Sequence, residues 1–142
     1  MNYDLSRFLR AQKEDYETAL AEIRAGRKRS HWIWYIFPQL KGLGFSTMAD
    51  YYGIDGIGEA EAYMKDPVLS ARLVEISEAL LTLKSLDPRA VMGYPDDMKL
   101  RSCMTLFHAA APDVAVFPKV LEKFFAGQGD ERTLRMLRDG KR

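Results

Sequence analysis

Apolar side chains recur every three or four residues along most of this sequence, and that spacing is typical of helices that bury one face. Clean alternation of apolar and polar residues, which would indicate half-buried strands, does not occur. The most regular stretch consists of Leu69, Leu73, Ile76, Leu80 and Leu83. The sequence therefore predicts an all-α fold, a compact bundle of about six to seven helices in a single domain that covers residues 1–142.

Glycines, prolines and capping residues place the ends of the predicted helices. Gly26 ends the first helix, and Asp66-Pro67 separates a short helix from the regular stretch, because proline disfavours helical geometry in the residue before it. We expect three later helices: one that follows the turn at 93–97, one that starts near Val116 and one that starts near Asp130. The glycine-rich segments 41–46 and 53–58 are expected to be loops.

Size, charge and cysteine content exclude several classes of protein. A chain of 142 residues that is 47% hydrophobic can bury a core without disulfides or metals. Its formal charge of +1 offers no strong positive field, so nucleic-acid binding is not favoured. One cysteine, Cys103, and two histidines are too few for an ordinary zinc site, so we expect no metal and no cofactor.

The sequence shows no signal for a membrane or for export. No run approaches the roughly 20 apolar residues that cross a bilayer. The N-terminus has Asp4, Arg7 and Arg10 where an export signal would have a basic segment followed by an apolar one. We therefore expect a cytoplasmic protein without membrane contact.

The segment 31–39, with sequence HWIWYIFPQ, is the most unusual part of the chain, because it holds both tryptophans among consecutive large apolar residues. Its aromatic and β-branched content would suit a buried strand. Ser30 as a cap and Pro38 as a stop would suit a short helix of about two turns. Since a lone strand has nothing to pair with, we predict a short aromatic helix in the core.

Three runs of the sequence resemble a known family. They are DLSRFLRAQ at 4–12, HWIWYIFPQLKGLG at 31–44 and KLRSCMTLF at 99–107. With these runs the chain resembles the family catalogued as domain of unknown function 1810, to which a calpastatin label is sometimes attached. The resemblance implies a mainly α-helical single-domain fold and implies no activity. Cys103 departs from the family, which more usually has a second serine beside Ser102.

The aromatic segment and the loop after it form the first candidate binding site. Aromatic rings can stack on a planar ligand, an amide can read its polar edge, and glycines let backbone amides come close. The alternative is that the tryptophans simply fill the core. The predicted ligand-binding residues here are Trp32, Trp34, Tyr35, Gln39, Gly42, Gly44 and Ser46.

The second candidate lies in the helix after Pro95. Lys99 and Ser102 are three residues apart, so they share a face near a helix N-terminus, which suits an anion. The alternative is an ordinary capped helix, and the acidic pair 96–97 would oppose a phosphate. The catalytic residues are not assigned, and His31 is considered as an acid or base only because its ordinary pKa lies near neutrality.

Two classes of function are consistent with these features. In the first, both candidates line one pocket that binds a planar, phosphate-bearing ligand such as a nucleotide, with or without catalysis. That hypothesis predicts Trp32 or Trp34 accessible in a concavity beside Ser102. In the second, the chain is a non-enzymatic protein-interaction module with buried tryptophans and an exposed aromatic patch, formed by Tyr51, Tyr52, Tyr63 and Tyr94. Nucleic-acid binding through residues 27–29 is a third, less favoured hypothesis.

Overall fold

The structure, a computed structural model, describes residues 3–140 and confirms the prediction of an all-α fold. Within those residues no strand occurs, and one isolated parallel bridge joins Leu40 and Ile54. The described part contains nine helices, two more than the larger number expected. They are α1 (Ser6–Arg24), α2 (Ile33–Ile36), α3 (Thr47–Tyr52), α4 (Gly56–Lys65), α5 (Pro67–Leu81), α6 (Pro88–Met92), α7 (Asp96–Ala110), α8 (Val116–Phe125) and α9 (Glu131–Arg138).

The two additional helices, α3 and α6, are short. Ser46 caps α3 by accepting a hydrogen bond from the Ala49 amide at 3.0 Å. Asp87 caps α6 in the same way, accepting from the Arg89 amide at 3.0 Å. Helices of this length make little more than one turn, so apolar periodicity cannot reveal them. The predicted aromatic helix, α2, is one turn long rather than about two.

Helix α7 lies at the centre of the molecule. It packs against α4, α6, α8 and α9, and the six consecutive residues 102–107 are all buried. A helix surrounded by other helices has no face left for solvent, so this stretch is buried on all sides rather than along one stripe. Helix α5 packs against both α1 and α8.

Glu22, near the end of α1, fixes the segment that leads into α2. Its Oε1 accepts hydrogen bonds from the Arg29 amide at 2.8 Å, the Ser30 amide at 2.9 Å and the Trp32 indole at 2.9 Å. Its Oε2 accepts from the Ser30 hydroxyl at 2.5 Å. Burial raises the pKa of this carboxyl, but the hydrogen bonds outweigh burial and lower the pKa to about 2.

Among the helices of residues 3–140, none combines the length and the apolar character needed to span a membrane.

Candidate functional site

Five of the predicted ligand-binding residues lie around one cavity of about 190 Å³, between α2, α3 and the start of α7. They come from three separate segments of the chain: Trp34, Gln39, Gly44, Ser46 and Lys99. The remaining lining residues are Leu40, Phe45, Ala49, Tyr52 and Gly53. We call this space the Trp34 cavity. It places an indole, a phenol, an amide and an ammonium group around a volume of small-molecule size.

Two backbone segments meet beside the Trp34 cavity. The Lys41 amide donates to the Ile54 carbonyl at 2.9 Å, and the Ile54 amide donates to the Gln39 carbonyl at 2.8 Å. Gly53 permits this close approach, because a Cβ there would lie 2.6 Å from the Cα of Lys41 and 2.9 Å from the carbonyl oxygen of Ala49. A larger residue would therefore push the two segments apart.

Arg7 holds the end of α3 against the rest of the molecule. Its guanidinium donates to the Tyr51 carbonyl at 2.9 Å and to the Gly53 carbonyl at 3.0 Å. It also makes a two-pronged ion pair with Glu59, with both distances 3.2 Å. A cation at the C-terminus of a helix satisfies carbonyls that lack partners within the helix. The contact thereby fixes the helix that carries Tyr52.

Tyr52 lies half-buried between the Trp34 cavity and the core. Its ring centroid lies 5.1 Å from that of Tyr35 and 6.0 Å from that of Phe8. Burial raises the pKa of the Tyr52 hydroxyl, and the neighbouring Tyr51 adds to the rise. The phenol is therefore protonated near neutral pH and is available as a hydrogen-bond donor.

The two tryptophans have different environments. Trp32 is 1% exposed, and its Nε1 donates to Glu22. Trp34 is half-buried and lines the cavity, and its Nε1 is covered and has no hydrogen-bond partner among the described residues. Buried indole N–H groups usually find a partner. Trp32 is thus a core residue, whereas the donor of Trp34 is left unsatisfied.

A row of alternating charges connects the two indoles. Lys28 Nζ lies 4.8 Å from the Trp32 ring centroid and 2.8 Å from Asp96 Oδ2. The other oxygen of Asp96 lies 3.6 Å from Lys99 Nζ, which in turn lies 5.4 Å from the Trp34 ring centroid. The basic patch predicted at 27–29 therefore has its central lysine turned inward, with a side chain that is only 6% exposed.

Trp32 and Tyr35 do not line the Trp34 cavity, although the sequence placed them with Trp34. Both are buried, Trp32 at the N-cap of α2 and Tyr35 within its single turn. The Tyr35 hydroxyl donates to the carboxylate of Asp15 on α1. Burial and that contact raise the Tyr35 pKa well above its ordinary value.

Three more candidate residues lie outside the lining of the Trp34 cavity: Ser102, Gly42 and His31. The Ser102 hydroxyl is buried within α7 and donates to the Met98 carbonyl at 3.1 Å, one turn earlier. Gly42 lines an adjoining open cleft of about 840 Å³. His31 is exposed. The predicted pocket beside Ser102 is thus replaced by one beside Lys99, because Ser102 points into the core.

A cysteine nucleophile and a clustered metal site have no support in the described residues. Cys103 is completely buried, and burial raises the pKa of its thiol well above the ordinary value, so the reactive thiolate is disfavoured. Within residues 3–140 no three histidine, cysteine, aspartate or glutamate side chains are grouped closely enough to hold a metal ion.

Sequence reasoning missed five residues of the site: Leu40, Phe45, Ala49, Tyr52 and Gly53. Tyr52 was assigned to an exposed patch, and Phe45 and Gly53 were assigned no role. Phe45 is 91% exposed at the boundary between the Trp34 cavity and the adjoining cleft, and both spaces also share Gly44. The one available signal was the pair of glycines, Gly42 and Gly44, directly before the lone aromatic residue Phe45.

The predicted patch of four tyrosines does not form. Tyr63 is completely buried and packs against Phe107, and Tyr52 is half-buried. Tyr51 and Tyr94 are exposed, but they lie on different elements, α3 and the turn before α7. An interaction surface built from these four side chains is therefore excluded.

Comparison with known proteins identifies relatives without an assigned activity. The family described as "Protein of unknown function (DUF1810)" matches residues 2–137. A solved structure, that of the conserved hypothetical protein Rv1873 from Mycobacterium tuberculosis, is 42% identical in sequence, with a TM-score of 0.94. The similarity covers 96% of this chain and 97% of the other. No curated protein matched the chain.

Proposed function

We propose that this chain, which belongs to the family of unknown function DUF1810, binds a small planar molecule in the Trp34 cavity. The observation that carries the proposal is the convergence of Trp34 and Gln39, from the segment 31–39, with Lys99 of α7 on one cavity. Ligand sites typically combine apolar and aromatic walls with a few polar groups. We propose binding and assign no reaction. A cytoplasmic location stays a prediction from the sequence.

The size of the Trp34 cavity favours a ligand with a single ring. Its volume of about 190 Å³ exceeds the roughly 150 Å³ of an engineered protein cavity that holds benzene. It falls below the roughly 300–1,000 Å³ of sites that enclose drug-sized molecules. A whole nucleotide would therefore not be enclosed, and any further part of a larger ligand would extend past Phe45 into the adjoining cleft.

The unsatisfied donor of Trp34 supports a ligand with an acceptor atom. A buried donor without a partner costs about 1–3 kcal/mol. A small rotation of the indole toward the Trp34 cavity would expose its N–H to a bound carbonyl or ring nitrogen. A ligand that accepts from this N–H lies at the edge of the indole, so stacking on the ring face is a second, separate mode of contact.

A binding titration tests this proposal. Benzamide, nicotinamide, free nucleobases and their nucleotides are titrated by calorimetry, with tryptophan emission as a second readout. We expect at least one single-ring compound to bind the natural chain, and Trp34→Leu to weaken that binding at least tenfold. The matched control is Tyr94→Leu, since Tyr94 is 64% exposed and lies outside the Trp34 cavity. It should leave binding unchanged.

Two results would count against small-molecule binding at this site. The first is a flat response to every compound, which would favour the interaction module. The second is equal loss of binding in the Trp34 and Tyr94 variants, which would show that the effect does not depend on the cavity. Far-UV circular dichroism of each variant confirms that it is folded before its affinity is compared.

A further inference from the structure

We infer that the ligand of the Trp34 cavity carries a single negative charge on its ring, as an aromatic carboxylate does. This inference rests on the proposed function and names the class of molecule. Among the lining residues, all of which lie within the described part of the chain, Lys99 is the only charged one. Its side chain is 29% exposed and is therefore neither in free solvent nor sealed in the core.

Asp96 is shared between Lys99 and Lys28, so its single negative charge does not balance both ammonium groups. Lys28 approaches Asp96 to 2.8 Å, whereas Lys99 remains at 3.6 Å. Lys28 also donates to the Ser30 carbonyl, so its position is fixed independently of the Trp34 cavity. Two ammonium groups share one carboxylate, and the contact group Lys28–Asp96–Lys99 therefore carries one excess positive charge.

The next acidic residue does not cancel this excess by contact. Asp97 is two residues from Lys99 along α7, and residues two apart on a helix lie on opposite sides of it. Among the ion pairs formed within residues 3–140, Asp97 contacts neither Lys28 nor Lys99. Within residues 3–140, the positive charge at the Trp34 cavity therefore has no second anion in contact with it.

The geometry places a ring substituent within reach of Lys99. A ring that stacks on Trp34 has its centroid about 4.5–7 Å from that of the indole. The Lys99 ammonium lies over the same indole, 5.4 Å from its centroid, and Lys99 also lines the Trp34 cavity, so a charged substituent on a ring held in the cavity is within reach of it. A carboxylate matches the single excess charge. A phosphate monoester, with a charge of about −1.5 to −2, would leave excess negative charge beside Asp96.

Benzoate and benzamide test the inference, because both are planar single rings that differ mainly in charge. We expect the natural chain to bind benzoate about tenfold more tightly than benzamide in calorimetric titrations, since hydrogen bonds to ions are the stronger ones. Lys99→Met should reduce benzoate affinity to the level of benzamide and leave benzamide affinity unchanged. Lys119→Met, an exposed lysine on α8 outside the cavity, should preserve the preference.

The outcomes separate this inference from the proposed function. Equal affinities for benzoate and benzamide, or a preference that survives Lys99→Met, would overturn the inference and leave the binding function standing. If neither benzoate, nor benzamide, nor any compound of the wider panel binds, both the inference and the proposed binding function are overturned. A preference that falls between about 50 mM and 500 mM salt, while benzamide affinity stays constant, supports the ionic contact.

Discussion

Glu22→Gln is expected to lower the free energy of unfolding, because one carboxylate organises the entry to the aromatic helix. The carboxylate accepts four hydrogen bonds, two from backbone amides, one from the Ser30 hydroxyl and one from the Trp32 indole. Glutamine keeps the shape and one acceptor oxygen. It loses the charge that strengthens each of these bonds.

The magnitude comes from the pKa of Glu22. The folded protein holds that pKa at about 2, compared with an ordinary value of 4.5. A difference of this size corresponds to about 3 kcal/mol, at 1.36 kcal/mol for each pKa unit. Glu22 is only partly buried, so solvent screening reduces the expected loss to about 2–3 kcal/mol.

The sign of the pH dependence follows from the direction of the shift. A carboxyl whose folded-state pKa is lowered stabilises the protein fully above its ordinary pKa of 4.5 and loses that stabilisation as the pH falls through about 2. The difference in unfolding free energy between the natural chain and the Glu22→Gln variant should therefore be complete near pH 7. It should shrink steadily between about pH 5 and about pH 2.

Urea unfolding at a series of pH values measures this difference, with far-UV circular dichroism and tryptophan emission as readouts. Glu78→Gln is the matched control, because Glu78 is exposed on α5, and its replacement should change stability by less than about 0.5 kcal/mol. A Glu22→Gln effect as small as that of the control, or an effect independent of pH, would refute the stabilising role of the Glu22 carboxylate.

Two further predictions concern the supports of the fold. Gly53→Ala should cost about 1–3 kcal/mol in urea unfolding, because the added Cβ meets the backbone of Lys41 at 2.6 Å, and backbone cannot move aside as a flexible side chain can. A loss below about 0.5 kcal/mol would show that the two segments separate freely. Lys123→Met should cost about 2–3 kcal/mol, since its ammonium donates to the carbonyls of Leu80 and Leu81 at 3.0 and 3.1 Å and closes the end of α5. Burial lowers the pKa of Lys123, and the exposed Lys119 on the same helix provides the control. Equal effects of the two lysine replacements would contradict a specific capping role.

The helices with long apolar stripes were predictable because their signals are local. Leu69, Leu73, Ile76 and Leu80 of the regular stretch lie in α5, whereas Leu83 follows the end of that helix at Leu81. Asp66-Pro67 does divide α5 from α4, and the Asp66 side chain accepts from two amides of the first turn. Spacing and capping depend on neighbours within four residues, so one sequence contains them. The short helices α3 and α6 have too few residues to show a period.

The candidate site was predictable only in part, because local signals do not show which side chains meet across the fold. The sequence marked 31–46 as unusual, and three of its polar or aromatic residues, Trp34, Gln39 and Ser46, do line one cavity. It could not assign Trp32 to the core and Trp34 to the cavity wall. The indole N–H of Trp32 donates to Glu22, ten residues earlier in the chain. The indole N–H of Trp34 has no such partner among the described residues.

The sequence by itself determined the all-α class, the long helices and the presence of a ring-rich segment, because these follow from interactions between near neighbours along the chain. Only the tertiary structure decided which rings are accessible and which charges remain in excess. Lys28 and Asp96 are remote in sequence, yet their 2.8 Å contact leaves the ammonium of Lys99 available beside Trp34. Contacts of that kind depend on how helices pack, which apolar spacing does not encode.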